Sequence, residues 1–187
     1  MESNKIVIFC APSGAGKTTV AQGVIKRISQ LSFSISATNR EKRDYEKEGV
    51  DYYFLKKEDF RNKIRMGEFL EWEEVYEGIF YGTLKLEVSR IQNLGQIPVF
   101  DIDVKGAMNL KKRYVDLALI IFIKTPVEEI KKRLEKRNTE NERTFEMRLD
   151  RIKEEMIYEE RADVVIENID LEKAINEAEE TVKKFIL

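Results

Sequence analysis

The stretch Ala11-Pro12-Ser13-Gly14-Ala15-Gly16-Lys17-Thr18 combines residue types that grip a polyphosphate. Gly14 and Gly16 let the backbone curl until successive N–H groups converge on one anion. Lys17 supplies an ammonium for the β and γ oxygens, and Thr18 a hydroxyl for Mg²⁺ on the phosphates. Ser13, Ala15 and Thr19 complete the loop. Glycine is usual where Ala11 stands. Ala11 continues an apolar strand, which predicts extended backbone there and little strain. Farther along, Arg40 and Arg43 sit three residues apart. Guanidinium groups bind phosphate through paired donors and stay charged.

The loop needs a strand before it and a helix after it. Lys5–Cys10 is a short apolar run, as expected of a strand buried on both faces. Beyond the loop, Val20, Ala21, Val24, Ile25, Ile28 and Leu31 recur at helical spacing. The helix N-terminus then points its positive end at the phosphates. Leu117–Ile123, Ile97–Ile102 and Asp163–Glu167 read as further strands. Thr125-Pro126-Val127-Glu128 reads as a capping box opening a helix. Helices are also predicted near Leu84–Leu94 (ended by Gly95), Lys105–Arg113, Asn141–Arg161 and Leu171–Phe185. Strands alternating with helices predict an α/β fold, a P-loop NTPase-type parallel sheet flanked by helices. Between Phe33 and Tyr81 the rhythm breaks. Strand-like alternation over Phe33, Ile35 and Ala37 leads to a charged stretch and Asp51-Tyr52-Tyr53-Phe54. A short helix near Glu58–Met66 and strand-like Phe69–Val75 follow. This predicts a mixed α+β insertion.

Composition narrows the chemistry. The 187 residues suit one domain. The 33 Lys and Arg nearly balance the 35 Asp and Glu, so no basic excess points to nucleic acid or a membrane. Histidine is absent, which removes Ser-His-Asp and Cys-His catalysis and imidazole-bound zinc. Cys10 is the sole cysteine, so a reducing, cytoplasmic setting fits. No apolar stretch approaches the ~20 residues of a membrane span. A phosphate loop alone is shared by GTPase switches, motor ATPases and small-molecule kinases. The chain is too short for a motor domain and lacks the Asn-Lys-x-Asp guanine motif of GTPases.

The insertion discriminates further. Ser34-Ile35-Ser36-Ala37-Thr38-Asn39-Arg40-Glu41-Lys42-Arg43 is followed by Asp51-Tyr52-Tyr53-Phe54, Glu71-Trp72 and Tyr81-Gly82-Thr83. Asp101-Ile102-Asp103-Val104-Lys105-Gly106 comes next. In this order and spacing the chain resembles the guanylate kinase family, which phosphorylates GMP with ATP. The resemblance runs from the phosphate loop to Asn168. It implies a GMP-binding insertion at about 34–83, a short helical lid at about 126–153, and a core at about 1–33, 84–125 and 154–187. By that resemblance Arg40, Arg43, Tyr52 and Tyr81 bind the GMP phosphate. Glu71 and Asp103 contact the guanine edge, with Ser36 and Thr83 as hydroxyl partners and Glu46 nearby. Arg133, Arg137 and Arg148 are implied as lid arginines acting with Lys17 and Arg40 in catalysis. Arg137 and Asn168 belong to the ATP side, and Asn168 lies near the adenine. Asp101, at a strand end, either orients Mg²⁺-bound water or hydrogen-bonds the neighbouring loop.

The implied reaction needs no histidine. The acceptor is a phosphate oxygen, anionic already, so positioning and charge stabilisation suffice. ATP, GMP and Mg²⁺ are the expected ligands; monomer and homodimer both stay open. Two other readings compete: a related P-loop kinase acting on a phosphorylated sugar, and a non-catalytic guanylate-kinase-like binding module. Three departures from the family pattern flank the site. Lys105 stands for Gln, Asn138 for Gly, and the loop Val75–Phe80 is one residue longer, with Phe80 for Tyr.

Overall fold

The computed structural model describes residues 5–136, 150 and 152–187. Five parallel strands form the main sheet. They are β1 (Ile6–Cys10), β2 (Leu31–Phe33), β7 (Ile97–Ile102), β8 (Ala118–Lys124) and β9 (Val164–Glu167), in the order β2-β7-β1-β8-β9. β1 lies at the centre and alternates its side chains between two cores. Val7 and Phe9 pack with α1 (Lys17–Arg27), α5 (Val127–Lys136) and the C-terminal helix α6 (Leu171–Ile186). Ile6, Ile8 and Cys10 pack with Val88 of α3 (Lys85–Asn93) and Ala107 and Leu110 of α4 (Val104–Tyr114). Burial of each such side chain contributes roughly 1.5–3 kcal/mol, which explains why β1 and β8 carry almost uninterrupted aliphatic and aromatic runs.

A second sheet holds β3 (Ala37–Thr38), β4 (Tyr53–Phe54), β5 (Phe69–Tyr76) and β6 (Ile79–Leu84), in the order β4-β3-β6-β5. β5 and β6 form an antiparallel hairpin, while β3 pairs parallel with β4. Its small core stacks Phe60 of α2 (Lys57–Arg65) on Phe69 and Phe80.

Several sequence expectations change here. The strand-like run Phe33–Ala37 is two strands, β2 and β3, in different sheets. The chain crosses between sheets over Ser34–Ser36. β6 has no counterpart among the strands expected from sequence. The expected capping box does not form among the described residues: no N–H of α5 donates to the Thr125 hydroxyl, which itself donates to the Ala15 carbonyl at 2.9 Å. The helix expected over Asn141–Arg161 is described only from residue 150 on, and Ile157–Arg161 tightens into a 3₁₀ turn. Arg137, Asn138 and Arg148 lie outside the described residues. The β5–β6 pairing shifts register between Phe69 and Glu71 and again between Glu74 and Tyr76, the second shift falling in the loop Val75–Phe80.

Candidate active site

The phosphate loop leaves the end of β1 and enters α1. Gly14 and Gly16 adopt φ of 88° and 87°, the curl that side chains resist. Ala11 has no positive φ, so its Cβ costs nothing there. The loop is braced from behind at one oxygen. The Ala15 carbonyl accepts from the Thr125 hydroxyl, the Asn168 amide (2.7 Å) and the Arg133 guanidinium (3.2 Å). Arg133 also donates to the Asn168 carbonyl at 3.1 Å. Asn168 is buried, and in this arrangement its amide grips loop backbone.

Asp101 is the penultimate residue of β7, beside the loop, because β7 and β1 are paired neighbours. It accepts from the Thr18 hydroxyl, and its Oδ1 pairs with Lys17 Nζ at 2.7 Å. Lys17 also donates to the Ile102 carbonyl at 2.6 Å. A hydroxyl and a carboxylate meeting at a phosphate loop form an oxygen-only donor pair, which fits a hard cation such as Mg²⁺.

The second sheet supplies the other wall. Glu71 sits on β5 and accepts from the Thr83 hydroxyl of β6 at 2.7 Å. Gly106 of α4 packs so close that a Cβ there would come within 2.9 Å of Glu71 Oε2. Burial pushes the Glu71 carboxyl up to about 7; the Thr83 hydroxyl opposes this and neighbouring Asp103 adds to it. Asp103 itself caps α4, accepting from the Gly106 N–H at 2.8 Å.

Arg40 and Arg43 behave differently. Arg40 lies half-buried in a bidentate pair with Glu46, at 2.9 and 2.7 Å, and its Nε donates to the Tyr81 hydroxyl at 3.1 Å. Hydrogen bonding to Arg40 holds the Glu46 carboxyl below the usual carboxylate range despite burial. The Tyr52 ring lies against the Arg40 guanidinium, 5.4 Å from its centroid, and burial pushes the Tyr52 phenol up to about 12. Arg43 donates from its side chain to the Tyr45 hydroxyl, and among the described residues it forms no carboxylate ion pair. Arg43 is thus the arginine of this pair with charge left for an anion.

One cavity of about 370 Å³ gathers these groups. Ser13, Gly14, Ala15, Gly16, Lys17, Thr18, Thr19 and Asp101 line it together with Ser36, Arg43, Tyr52, Glu71, Tyr81 and Asp103. Arg40, Glu46 and Thr83 stand behind that lining and hold Tyr81 and Glu71. Sequence reading missed Glu73, Val75, Tyr76 and Glu155, which also line the cavity. Period-two alternation along β5 places 71, 73 and 75 on one face and is the signal for the first two. A larger recess, about 710 Å³, adjoins at Asp103 and Glu155 but carries no phosphate-loop residue.

A parallel sheet with a phosphate loop at its central strand, facing a small sheet that carries carboxylates and arginines, defines a P-loop nucleotide kinase. The family model described as Guanylate kinase matches residues 3–185, and the chain belongs to that family. It is 44% identical over 187 residues to the guanylate kinase of Salinibacter ruber, covering 100% of this chain and 99% of that one. It is 45% identical over 185 residues to that of Bacteroides thetaiotaomicron, covering 98% and 91%. The crystal structure of guanylate kinase from Anaplasma phagocytophilum superposes with a TM-score of 0.80 at 29% identity, covering 98% of this chain and 86% of that one.

Proposed function

We propose that the chain transfers the γ-phosphoryl of ATP to GMP, giving GDP and ADP, in the cavity between the phosphate loop and the second sheet. The observation that carries this is the single cavity lined by Lys17, Thr18 and Asp101 as well as by Arg43, Glu71 and Asp103. Guanine offers N1–H and an exocyclic amino group, both donors, and an ionised carboxylate only accepts. Adenine turns a bare N1 toward the same carboxylate and leaves a buried charge unpaired. Neither the sugar-kinase nor the binding-module reading is favoured: the guanylate kinases the chain resembles match over 91% or more of their length, and Gly14, Gly16, Lys17 and Thr18 are intact.

The chain's residues divide the task. Lys17 and the loop N–H groups hold the donor phosphates. Arg43, Tyr52 and Tyr81 hold the acceptor phosphate, with Arg40 fixed behind them by Glu46. The acceptor oxygen is anionic at neutral pH, so no side chain has to remove a proton. Thr18 would hold Mg²⁺ directly and Asp101 through water. When bound, the ion neutralises charge on the β and γ oxygens. Arg137 and Arg148 would approach the transferred group as the lid at about 126–153 and the insertion at about 34–83 close over the core and exclude water, and Arg133 would join them by leaving the Ala15 and Asn168 carbonyls it holds here. A cytoplasmic location suits a chain whose only cysteine is free and buried.

A coupled assay of ADP formation with GMP, AMP, CMP and UMP tests this reading. GMP should exceed each of the others by about a hundredfold or more in kcat/KM. Equal turnover of AMP would overturn it.

A further inference from the structure

Glu87, in the first turn of α3, has a side chain only 1% exposed, and four donors surround it. Oε1 accepts from the Ile35 backbone N–H at 3.0 Å and from Arg90 at 2.8 Å. Oε2 accepts from the Tyr53 hydroxyl at 3.0 Å and from Arg90 Nε at 2.8 Å. Burial alone would raise its pKa, yet Arg90, the Ile35 N–H and Tyr53 together hold it below the usual carboxylate range. The neighbouring Val88 is locked into the main core, so the carboxylate is presented from a fixed frame.

What Glu87 grips is informative. Ile35 lies in the crossover from the main sheet to the second sheet, and Tyr53 lies in β4. Neither lines the cavity, but their chain neighbours Ser36 and Tyr52 both do. The two segments are also tied to each other, since the Tyr53 N–H donates to the Ser36 carbonyl at 2.9 Å. α3 itself continues directly from β6, which carries Tyr81 and Thr83. One buried carboxylate therefore joins the way into the second sheet, its β4 strand and the way out.

We infer that Glu87 is a positioning residue for the acceptor subsite, setting where Ser36 and Tyr52 stand relative to the phosphate loop. The inference rests on the acceptor-site reading given above. It makes GMP binding, and not ATP binding, the quantity that depends on Glu87.

The test compares steady-state kinetics of Glu87→Gln and Tyr53→Phe with wild type, alongside melting temperature. Gln keeps the shape but cannot accept all four bonds. Tyr53→Phe removes one hydroxyl and spares the rest, so it folds even if Glu87→Gln does not. GMP KM should rise about five- to tenfold in Glu87→Gln and about two- to threefold in Tyr53→Phe. ATP KM and kcat should stay within about twofold. The double variant should fall short of the product of the singles, because both weaken the one hydrogen-bond network that ties β4 to α3. A lowered melting temperature with GMP KM unchanged in both variants would overturn the inference and leave Glu87 as a strut. An equal rise in ATP KM would overturn it too. Ser36→Ala and Tyr52→Phe are measured in parallel. If they raise GMP KM and the Glu87 and Tyr53 variants do not, only this inference fails. If they leave it unchanged, the acceptor-site reading fails, and the inference with it.

Discussion

Glu71 is a carboxylate held where it is uncomfortable. Burial raises its pKa to about 7, so near neutrality the empty site is divided between acid and anion. Only the anion accepts from both guanine donors. GMP KM should therefore fall as pH rises from about 6 to 8, then level off. The dependence should vanish in Glu71→Gln, which separates it from titration of the substrate's own phosphate. The stability sign is the reverse. A pKa raised above the unfolded 4.5 favours the folded state most below that value, and the contribution is lost as pH rises toward about 7. On the proposed reading, some stability at neutral pH is given up to hold an ionisable acceptor at the guanine subsite. Arg40 shows the opposite strategy: its charge is matched by Glu46, so it contributes shape and Arg43 the free charge. The sequence displays four acidic residues around these two arginines. It does not show which one pairs, since Glu46 reaches Arg40 only through the turn that places the Arg43 N–H on the same carboxylate.

At the scale of elements, the phosphate loop is held by structure far away in the chain. Thr125 precedes α5, Arg133 lies within it, and Asn168 follows β9, yet all three end on the Ala15 carbonyl. Asn168→Ala should therefore raise the KM of ATP and of GTP as donor by the same factor, about three- to tenfold, since loop geometry serves any triphosphate. A loss confined to ATP would mean that Asn168 reads the adenine instead. The strands most legible from sequence, β1, β7 and β8, are buried on both faces, so their composition is decided locally. β6 was not legible. Its Gly82 interrupts the strand pattern, and it exists because β5 and β3 pair with it on either side. Thr125 misled for a related reason. Thr-Pro-x-Glu satisfies every local rule for a cap, but among the described residues no N–H of α5 donates to the Thr125 hydroxyl, which is turned to donate to the distant Ala15 carbonyl. Glu87 was hidden altogether: from sequence it is an i,i+3 partner of Arg90 on a helix, a pair worth little when exposed. Its burial depends on Ile35 and Tyr53, which only the folded chain delivers.

Across the whole molecule, near-neutral net charge conceals a division between surfaces. Basic groups collect at the phosphate loop and after β3, while Glu71 and Asp103 wait on β5 and before α4. The motifs for both halves were readable because phosphate and guanine demand particular residue types at fixed spacing. That they share one cavity was not, because it depends on the crossover at Ser34–Ser36 turning the second sheet toward the loop. The central claim is that this shared cavity selects guanine through the Glu71 carboxylate. Its most direct test is the ratio of kcat/KM for GMP to that for AMP, measured in wild type and in Glu71→Gln. The comparison is made at pH 8, where Glu71 is largely ionised; there Gln can donate to adenine N1 and the carboxylate cannot, and Gln repels no ring nitrogen. The account predicts a ratio lowered by about a hundredfold in the variant, with the fold intact. A ratio unchanged by the substitution would contradict it.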